Sequence, residues 1–194
     1  MKMKPKFLRV AFITLVLSAL VASASCSAFG TSFKGEAVNP PAIAPEISLP
    51  DHSGNVFQLS GMRGKVVLLF FGFTNCVNEC PLTMAHLKLA LEMLGDSAAD
   101  VQVALVTTDP VRDTPQALRD FLGKFNPAFL GVTGSMDELT GTWDAYGVEV
   151  MHGGETHSSF TYAIDKAGNL RLKIGVEAAP EDIASDLKIL LAEK

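Results

Sequence analysis

Two unbroken apolar runs constrain the fold of this chain more than any other feature. "KVVLLFFGF" spans residues 65–73 and "VQVALVTTD" spans residues 101–109. Runs of this kind are typical of strands that are covered on both faces of a sheet. A helical pattern follows each run, "PLTMAHLKLALEML" after the first and "TPQALRDFLGKF" after the second. This alternation predicts an α/β domain with a central mixed sheet flanked by helices.

The remaining segments extend this order at both ends. "EISLPDHSGNVFQLS" alternates on either side of Ser53-Gly54 and predicts an N-terminal β-hairpin. "FLGVTG" predicts a short strand, and "SMDELTGTWDAYG" a helix capped by Ser135. "SSFTYAIDKAGNLRLKIG" predicts a late hairpin that turns at residues 166–169, and "APEDIASDLKILLAEK" a final amphipathic helix. After the first hairpin, the predicted order is β-α-β-α-β-α-β-β-α.

Residues 1–26 have the pattern of an export signal or membrane anchor. They begin with basic residues, continue with an apolar run over residues 10–24 and end in small residues. The apolar run is shorter than the roughly 20 residues of a comfortable membrane span. Cys26 at the end of this segment is a candidate for lipid attachment, as in bacterial lipoproteins. Cleavage after Ala24 and an uncleaved anchor are the alternatives, because Ser23 stands where lipoprotein signals usually have an aliphatic residue.

Residues 27–45 are small, polar and proline-containing, and they predict a tether to a domain over residues 46–194. We therefore expect an exported protein, tethered to the membrane on its periplasmic or extracytoplasmic side. Four of the 16 Lys and Arg residues and none of the 21 acids lie within residues 1–26, so the rest has a net charge of −9 from 12 basic and 21 acidic residues. Nucleic-acid binding needs clustered basic residues, so this class is excluded.

Cys76 and Cys80 are the only cysteines beyond the signal, and they follow the first apolar run. Pro81 favours the first helical position, which predicts Cys80 at the N-cap and Cys76 in the preceding loop. A helix N-terminus lowers the pKa of a thiol, so we expect both sulfurs to be thiolate-prone and partly exposed. Such thiols suit a metal ligand or a nucleophile.

Three other functions of the cysteine pair fit the sequence less well. A structural disulfide would close a very small loop and add little stability. A peroxidase site usually has an upstream proline, and the chain has none between Pro50 and Cys76. Thioredoxin-like redox motifs have two residues between their cysteines instead of three, and they have a proline before the late hairpin. This chain has no proline between Pro127 and Pro180.

His157, in "GGETHSSFTYAID", is the candidate third ligand beside the two thiols. Soft sulfur ligands with one imidazole suit Cu(I) and also Zn(II). Structural zinc sites normally have four protein ligands, so three ligands in an open site favour copper that must be passed on. Among the other histidines, we expect His52 to be solvated in its hairpin turn and His86 to lie on a different helix face from Cys80. His152 is the one competitor of His157.

Asp109 and Asp113, in "TTDPVRDTP", follow the end of the second apolar run. They are candidates for groups behind the metal ligands, facing the site from the end of a strand. The alternative is that they cap the helix that begins after Thr114, and the sequence favours capping.

Several motifs together resemble the Sco/SenC family of copper-binding proteins with a thioredoxin-like fold. The resemblance runs from about Phe33 to Leu191 and rests on motifs that occur in the family's order: "SFKGEAVNPP", "FQLSGMRGKVVLLFFGFTNCVNECPLTMAHL", "TTDPVRDTP", "FLGVTGS", "AYGVEV" and "HSSFTYAIDKAGNLR". The pair of cysteines with three intervening residues, combined with a late histidine, is specific to it. Two residues depart from the family pattern: Val77 replaces a proline that usually follows the first cysteine, and Thr156 replaces an acid that often precedes the histidine.

The resemblance implies that Cys76, Cys80 and His157 bind copper. It also implies delivery of copper to the binuclear copper site of a haem–copper oxidase subunit, or reduction of the cysteines of that site. We therefore predict an envelope copper metallochaperone whose partners are the copper-accepting oxidase subunit and other envelope copper carriers or thiol reductases. The alternative is a thiol–disulfide oxidoreductase with Cys76 and Cys80 as catalytic residues, which does not need the histidine.

Overall fold

The computed structural model describes residues 32–150 and 160–193. Residues from Phe33 onward form one compact unit. The strands are β1 (Glu36–Ile43), β2 (Ser48–Pro50), β3 (Val56–Gln58), β4 (Val66–Gly72), β5 (Val101–Thr107), β6 (Leu130–Val132), β7 (Phe160–Ile164) and β8 (Asn169–Gly175). The α-helices are α1 (Glu79–Leu94), α2 (Pro115–Leu122), α3 (Met136–Tyr146) and α4 (Pro180–Ala192), and 3-10 turns cover Leu59–Met62 and Gly95–Asp100.

A six-stranded mixed sheet in the order β1-β8-β7-β4-β5-β6 forms the centre of the fold. β4, β5 and β6 run parallel, whereas β7, β8 and β1 join by antiparallel pairing. β2 and β3 form a separate two-stranded hairpin. The predicted α/β class, the N-terminal hairpin and the order of the later elements are confirmed.

The central strand β4 is buried along its whole length. Successive side chains of a strand point to opposite faces, so β4 contributes to a core layer on each side of the sheet. Phe70 belongs to the layer that contains Leu87 of α1 and Leu187 of α4. Phe71 belongs to the other layer, with Trp143 of α3. This double coverage explains why the apolar run does not alternate.

The predicted tether over residues 27–45 is wrong from Glu36 onward. β1 pairs antiparallel with β8, with Glu36 opposite Lys173 and Ile43 opposite Asn169. The register shifts between Ala37 and Ala42, in the stretch that contains the two adjacent prolines. Proline is compatible with a strand at the edge of a sheet, because one side of that strand needs no partner. The prolines that suggested a tether therefore belong to an edge strand.

Two helix starts agree with the sequence prediction and a third differs. The Thr114 side chain accepts a hydrogen bond from the Ala117 backbone N–H at 3.2 Å at the start of α2. Ser135 and Glu138 form a capping box at the start of α3. α1, however, begins at Glu79, two residues before the predicted start. No helix within the described ranges is both long and apolar enough to cross a membrane.

His52 is buried, contrary to the prediction of a solvated turn residue. Its Nδ1 accepts a hydrogen bond from the backbone N–H of Gly131 at 2.9 Å, and its carbonyl accepts one from Arg119 at 2.7 Å. These contacts join the first hairpin to β6 and to α2, so the role of His52 is structural.

Candidate metal centre

The cysteine segment begins where β4 leaves the sheet. Gly72, the last residue of β4, lies opposite Thr107, the last residue of the parallel strand β5. The Thr108 backbone N–H also donates to the Gly72 carbonyl at 2.9 Å. Carboxyl ends of parallel strands beside a helix start are the usual place for a functional site in an α/β sheet. The chain turns there, passes through Cys76 and enters α1 at Glu79.

Cys76 and Cys80 are both free thiols, and a direct hydrogen bond connects the two residues. The backbone N–H of Cys80 donates to the Sγ of Cys76 at 3.3 Å. The backbone N–H of Cys76 in turn donates to the Phe73 carbonyl at 3.3 Å. The structure therefore brings together the two sulfur ligands that the sequence predicts.

Cys80 differs from its predicted environment in two respects. Asn78 is the N-cap of α1, so Cys80 is the second residue of the helix. Its side chain is only 3% exposed, because it turns into the core layer between α1 and the sheet. The prediction that both sulfurs are partly exposed holds for the half-buried Cys76 and is wrong for Cys80.

Burial raises the pKa of the Cys80 thiol well above its ordinary value. A hydrogen bond with the Phe73 backbone lowers this pKa, whereas the neighbouring Cys76 and Glu79 raise it further. The prediction of a thiolate-prone Cys80 is therefore wrong for the metal-free protein. Because metals bind the thiolate, a metal that binds Cys80 must displace its proton.

Gly72 leaves the space that the Cys80 sulfur occupies. A Cβ atom at position 72 would lie 2.9 Å from the Cys80 Sγ and 2.6 Å from Cε1 of Phe70. Both distances are too short for ordinary packing. The last residue of β4 must be small for the sulfur to lie against the strand.

An open cleft of about 460 Å³ borders the two cysteines. Phe73, Val77 and Arg112 contribute to its walls. The Val77 side chain, which stands at the usual proline position of the resembled family, is 85% exposed. An open cleft beside a half-buried thiol suits ligand exchange with a partner molecule.

Asp109 contacts a residue that lines this cleft. Its carboxylate pairs with Nε of Arg112 and accepts a hydrogen bond from the Arg112 backbone N–H at 3.4 Å. The Arg112 guanidinium lies 5.9 Å from the centroid of the Phe73 ring. Asp109 therefore helps to hold one wall of the cleft.

Asp113 does not cap α2, because the oxygen that does so belongs to Thr114. The buried Asp113 carboxylate instead accepts hydrogen bonds from Thr74 and Thr107. The sequence preference for capping is wrong for Asp113, since its side chain turns toward the cysteine segment. Sequence reasoning also missed Thr74 and Gly72, which have no distinguishing pattern of their own.

Cys26, His152 and His157 lie outside the described residues. Within residues 32–150 and 160–193, no group of three or more His, Cys, Asp or Glu side chains is arranged to hold a metal ion. The described part of the candidate centre is thus the cysteine pair and the residues that contact it.

Comparison with known proteins identifies the family. Residues 35–192 match the sequence profile described as SCO1/SenC. This chain belongs to the SCO1/SenC family. A SCO2-like protein of Rickettsia felis is 32% identical over 155 residues, which cover 75% of this chain and 76% of the relative.

Two solved Sco structures have the same fold. ScoI of Bradyrhizobium japonicum with copper bound is 29% identical, with a TM-score of 0.69 over 77% of this chain and 100% of that one. BsSco, a member of the Sco family of cytochrome c oxidase assembly proteins in which a disulfide switch has been identified, is 25% identical. Its TM-score is 0.68 over 82% of this chain and 99% of that one. The resemblance inferred from the sequence motifs is confirmed.

Proposed function

We propose that this SCO1/SenC protein is a copper metallochaperone of the cell envelope. Cys76 and Cys80 bind copper as thiolates, and His157 supplies the third ligand. The recipient is the binuclear copper site of a haem–copper oxidase subunit. Copper is here a cargo that the protein receives and passes on.

One observation carries the proposal: two free thiols border an open cleft at the carboxyl end of β4. Soft sulfur ligands favour Cu(I). A half-buried Cys76 is accessible to an incoming ligand, whereas Cys80 is buried. The copper-bound ScoI structure and the assembly role of the BsSco family support copper as the metal and an oxidase as the recipient.

The sheet topology supports His157 as the third ligand. Thr161, near the start of β7, lies opposite Phe70, near the end of β4. β7 therefore begins at the same end of the sheet at which the cysteine segment leaves β4. His157 precedes Phe160, the first residue of β7, by three positions in the sequence.

The test is an anaerobic Cu(I) titration of the reduced protein against a competing chelator. The full chain carries Cys26→Ser, so that Cys76 and Cys80 are its only thiols. We expect one tight site per chain that is weakened at least tenfold by Cys76→Ser, by Cys80→Ser and by His157→Ala. His152→Ala, a change in the same segment, is the matched control and should bind as the parent does.

Weak binding by the parent would contradict the chaperone function. Parent-like binding by His157→Ala would contradict the assignment of the third ligand. Parent-like binding by His157→Ala together with loss in His152→Ala would assign that role to His152. Oxidation of the pair to a disulfide should abolish binding, since it removes both thiolates.

A second candidate function is thiol–disulfide exchange with the recipient. The hydrogen bond between the Cys80 N–H and the Cys76 Sγ favours it, because it holds the two residues of a dithiol together. In this reaction the two thiols become a disulfide, and two electrons and two protons pass to a disulfide of the partner, which becomes two thiols. His157→Ala should spare this activity, and each cysteine variant should abolish it.

We also propose that residues 1–26 direct export and that Cys26 carries the lipid. The basic, apolar and small-residue pattern of this segment supports export, and the position of Cys26 at its end supports the lipid attachment. Membrane fractionation and the intact mass of the mature chain test them. Cys26→Ser should release the protein from the membrane fraction and remove the lipid mass; retention with an unchanged N-terminus would indicate an uncleaved anchor.

A further inference from the structure

We propose that Asp113 is a positioning residue for the cysteine ligands. Its carboxylate holds Thr74, at the start of the cysteine segment, against the end of β5. Removing this carboxylate should loosen the segment that carries Cys76 and expose Cys80. The expected effect on copper binding rests on the proposed function. The positioning of the cysteine segment does not, since it can be measured without metal.

The Asp113 carboxylate joins the segment that follows β4 to the end of β5. Oδ1 accepts hydrogen bonds from the Thr74 backbone N–H at 3.1 Å and from the Thr74 hydroxyl at 2.5 Å. Oδ2 accepts one from the Thr107 hydroxyl at 2.7 Å and lies 3.2 Å from the Thr74 nitrogen. One side chain thus joins the segment after β4 to the last residue of β5.

The burial of this carboxylate indicates a specific role. Asp113 is 1% exposed, and burying a carboxylate is costly unless hydrogen bonds compensate for lost water. The described contacts with Thr74 and Thr107 come from a backbone N–H and two hydroxyls, with no cation among them. A carboxylate accepts several such bonds at once, whereas a neutral amide has only one acceptor oxygen.

Thr74 is the point at which this contact acts on the metal ligands. The sheet already joins β4 to β5 as far as Gly72, through the regular pairing of Gly72 with Thr107. Thr74 lies beyond that pairing and two residues before Cys76. The Phe73 carbonyl accepts a hydrogen bond from the Cys76 N–H, and the Phe73 backbone forms a hydrogen bond with the Cys80 sulfur. Because Phe73 contacts both cysteines, holding its neighbour Thr74 in place also restrains Phe73.

Asp186 provides a matched control elsewhere in the protein. It is also 1% exposed, and it accepts hydrogen bonds from the backbone N–H groups of Lys34 at 2.7 Å and Gly35 at 2.8 Å. It anchors the chain before β1 instead of the cysteine segment. Asp186→Asn should therefore lower the free energy of unfolding, as Asp113→Asn does, without changing the reactivity of the thiols.

The experiment compares Asp113→Asn, Thr74→Val and Asp186→Asn in the full chain with Cys26→Ser. The first readout is the rate at which iodoacetamide alkylates Cys80 in the reduced, metal-free protein, followed by peptide mass spectrometry. The second is Cu(I) affinity by chelator competition. Fluorescence of Trp143, which is buried and the single tryptophan of the chain, gives the free energy of unfolding for each variant.

We expect Asp113→Asn to accelerate Cys80 alkylation at least tenfold and to weaken Cu(I) binding at least tenfold. Thr74→Val keeps the backbone N–H but loses the hydroxyl. It should therefore change the Cys80 alkylation rate and the Cu(I) affinity in the same direction as Asp113→Asn, by a smaller factor. The double variant Asp113→Asn/Thr74→Val should have the same alkylation rate and Cu(I) affinity as Asp113→Asn alone, because both changes remove the same contact. Asp186→Asn should leave both readouts at parent values.

A purely structural role predicts a different result. Cys80 alkylation would then follow the free energy of unfolding across all variants, including Asp186→Asn, and this would overturn the proposal. Parent-like alkylation in Asp113→Asn would also overturn it. If Asp113→Asn does not fold, Thr74→Val decides by the same criteria. If the parent binds no copper while Asp113→Asn exposes Cys80, the metallochaperone function fails and the positioning role stands.

Discussion

Gly72 lies directly against the sulfur of Cys80, so that a Cβ atom at position 72 would be 2.9 Å from that sulfur. The last residue of the central strand and the buried thiol of the helix thus share one small space. The position of the sulfur is set by strand packing as well as by the helix start. This contact makes the glycine a sensitive probe of the candidate metal centre.

Gly72→Ala should weaken Cu(I) binding and destabilise the fold by about 1–3 kcal/mol, the usual cost of overpacking a core. The added methyl must displace the Cys80 sulfur or the Phe70 ring. Chelator competition and urea unfolding measure the two effects. Gly175→Ala is the control, because Gly175 also ends a strand and a Cβ there would meet nothing within 4 Å. Equal behaviour of the two variants would contradict the packing argument.

Cys76 should react with iodoacetamide at least tenfold faster than Cys80 in the reduced, metal-free protein. Cys76 is half-buried, whereas Cys80 is buried and its thiol pKa is raised by that burial. The reactive species is the thiolate. Burial therefore slows the alkylation of Cys80 in two ways, by blocking access of the reagent and by keeping the thiol protonated. Peptide mass spectrometry over a time course in native buffer gives both rates. The rates should become similar in denaturant.

Thr114→Ala should cost about 1 kcal/mol of unfolding free energy, the typical value for losing an N-cap side chain. The Thr114 oxygen accepts the Ala117 N–H at the start of α2. Copper affinity should stay at the parent value, because Thr114 does not hold the cysteine segment. Urea unfolding monitored by Trp143 fluorescence and Cu(I) competition test this pair of outcomes. A copper defect in Thr114→Ala would show that α2 itself, rather than Asp113, positions the thiols.

Two buried tyrosines should contribute to a loss of stability in alkaline solution, in addition to Cys80, whose thiol pKa is also raised by burial. Burial raises the pKa of Tyr146 and of Tyr162 in the folded protein. The unfolded chain releases these protons near the ordinary tyrosine pKa of about 10, whereas the folded chain retains them. The contribution of each tyrosine is therefore fully present below about pH 10 and is lost as the pH rises, with a limiting slope of about 1.4 kcal/mol per pH unit.

Urea unfolding between neutral and alkaline pH measures this slope. Tyr146→Phe should make it shallower, although the variant also loses the hydrogen bond from the tyrosine hydroxyl to the Pro45 carbonyl and is less stable at neutral pH. An unchanged slope in Tyr146→Phe would show that this hydroxyl does not control the alkaline transition.

Apart from β1, the sequence by itself determined the elements and their order. The unbroken apolar run predicted β4 as a buried central strand, and Thr114 and Ser135 marked two helix starts that the structure confirms. These features could be predicted because strand patterning and helix capping are encoded within a few adjacent residues. The cysteine pair and its place at a strand–helix junction were likewise visible in one short segment.

Only the tertiary structure decided how that junction is built. Asp113 and Thr74 are 39 positions apart, and their contact depends on the parallel register that brings the ends of β4 and β5 together. The burial of Cys80 depends on packing against the strand at Gly72, and the pairing of β1 depends on a free edge at β8. Such contacts join residues that are distant in the chain, so no local pattern specifies them.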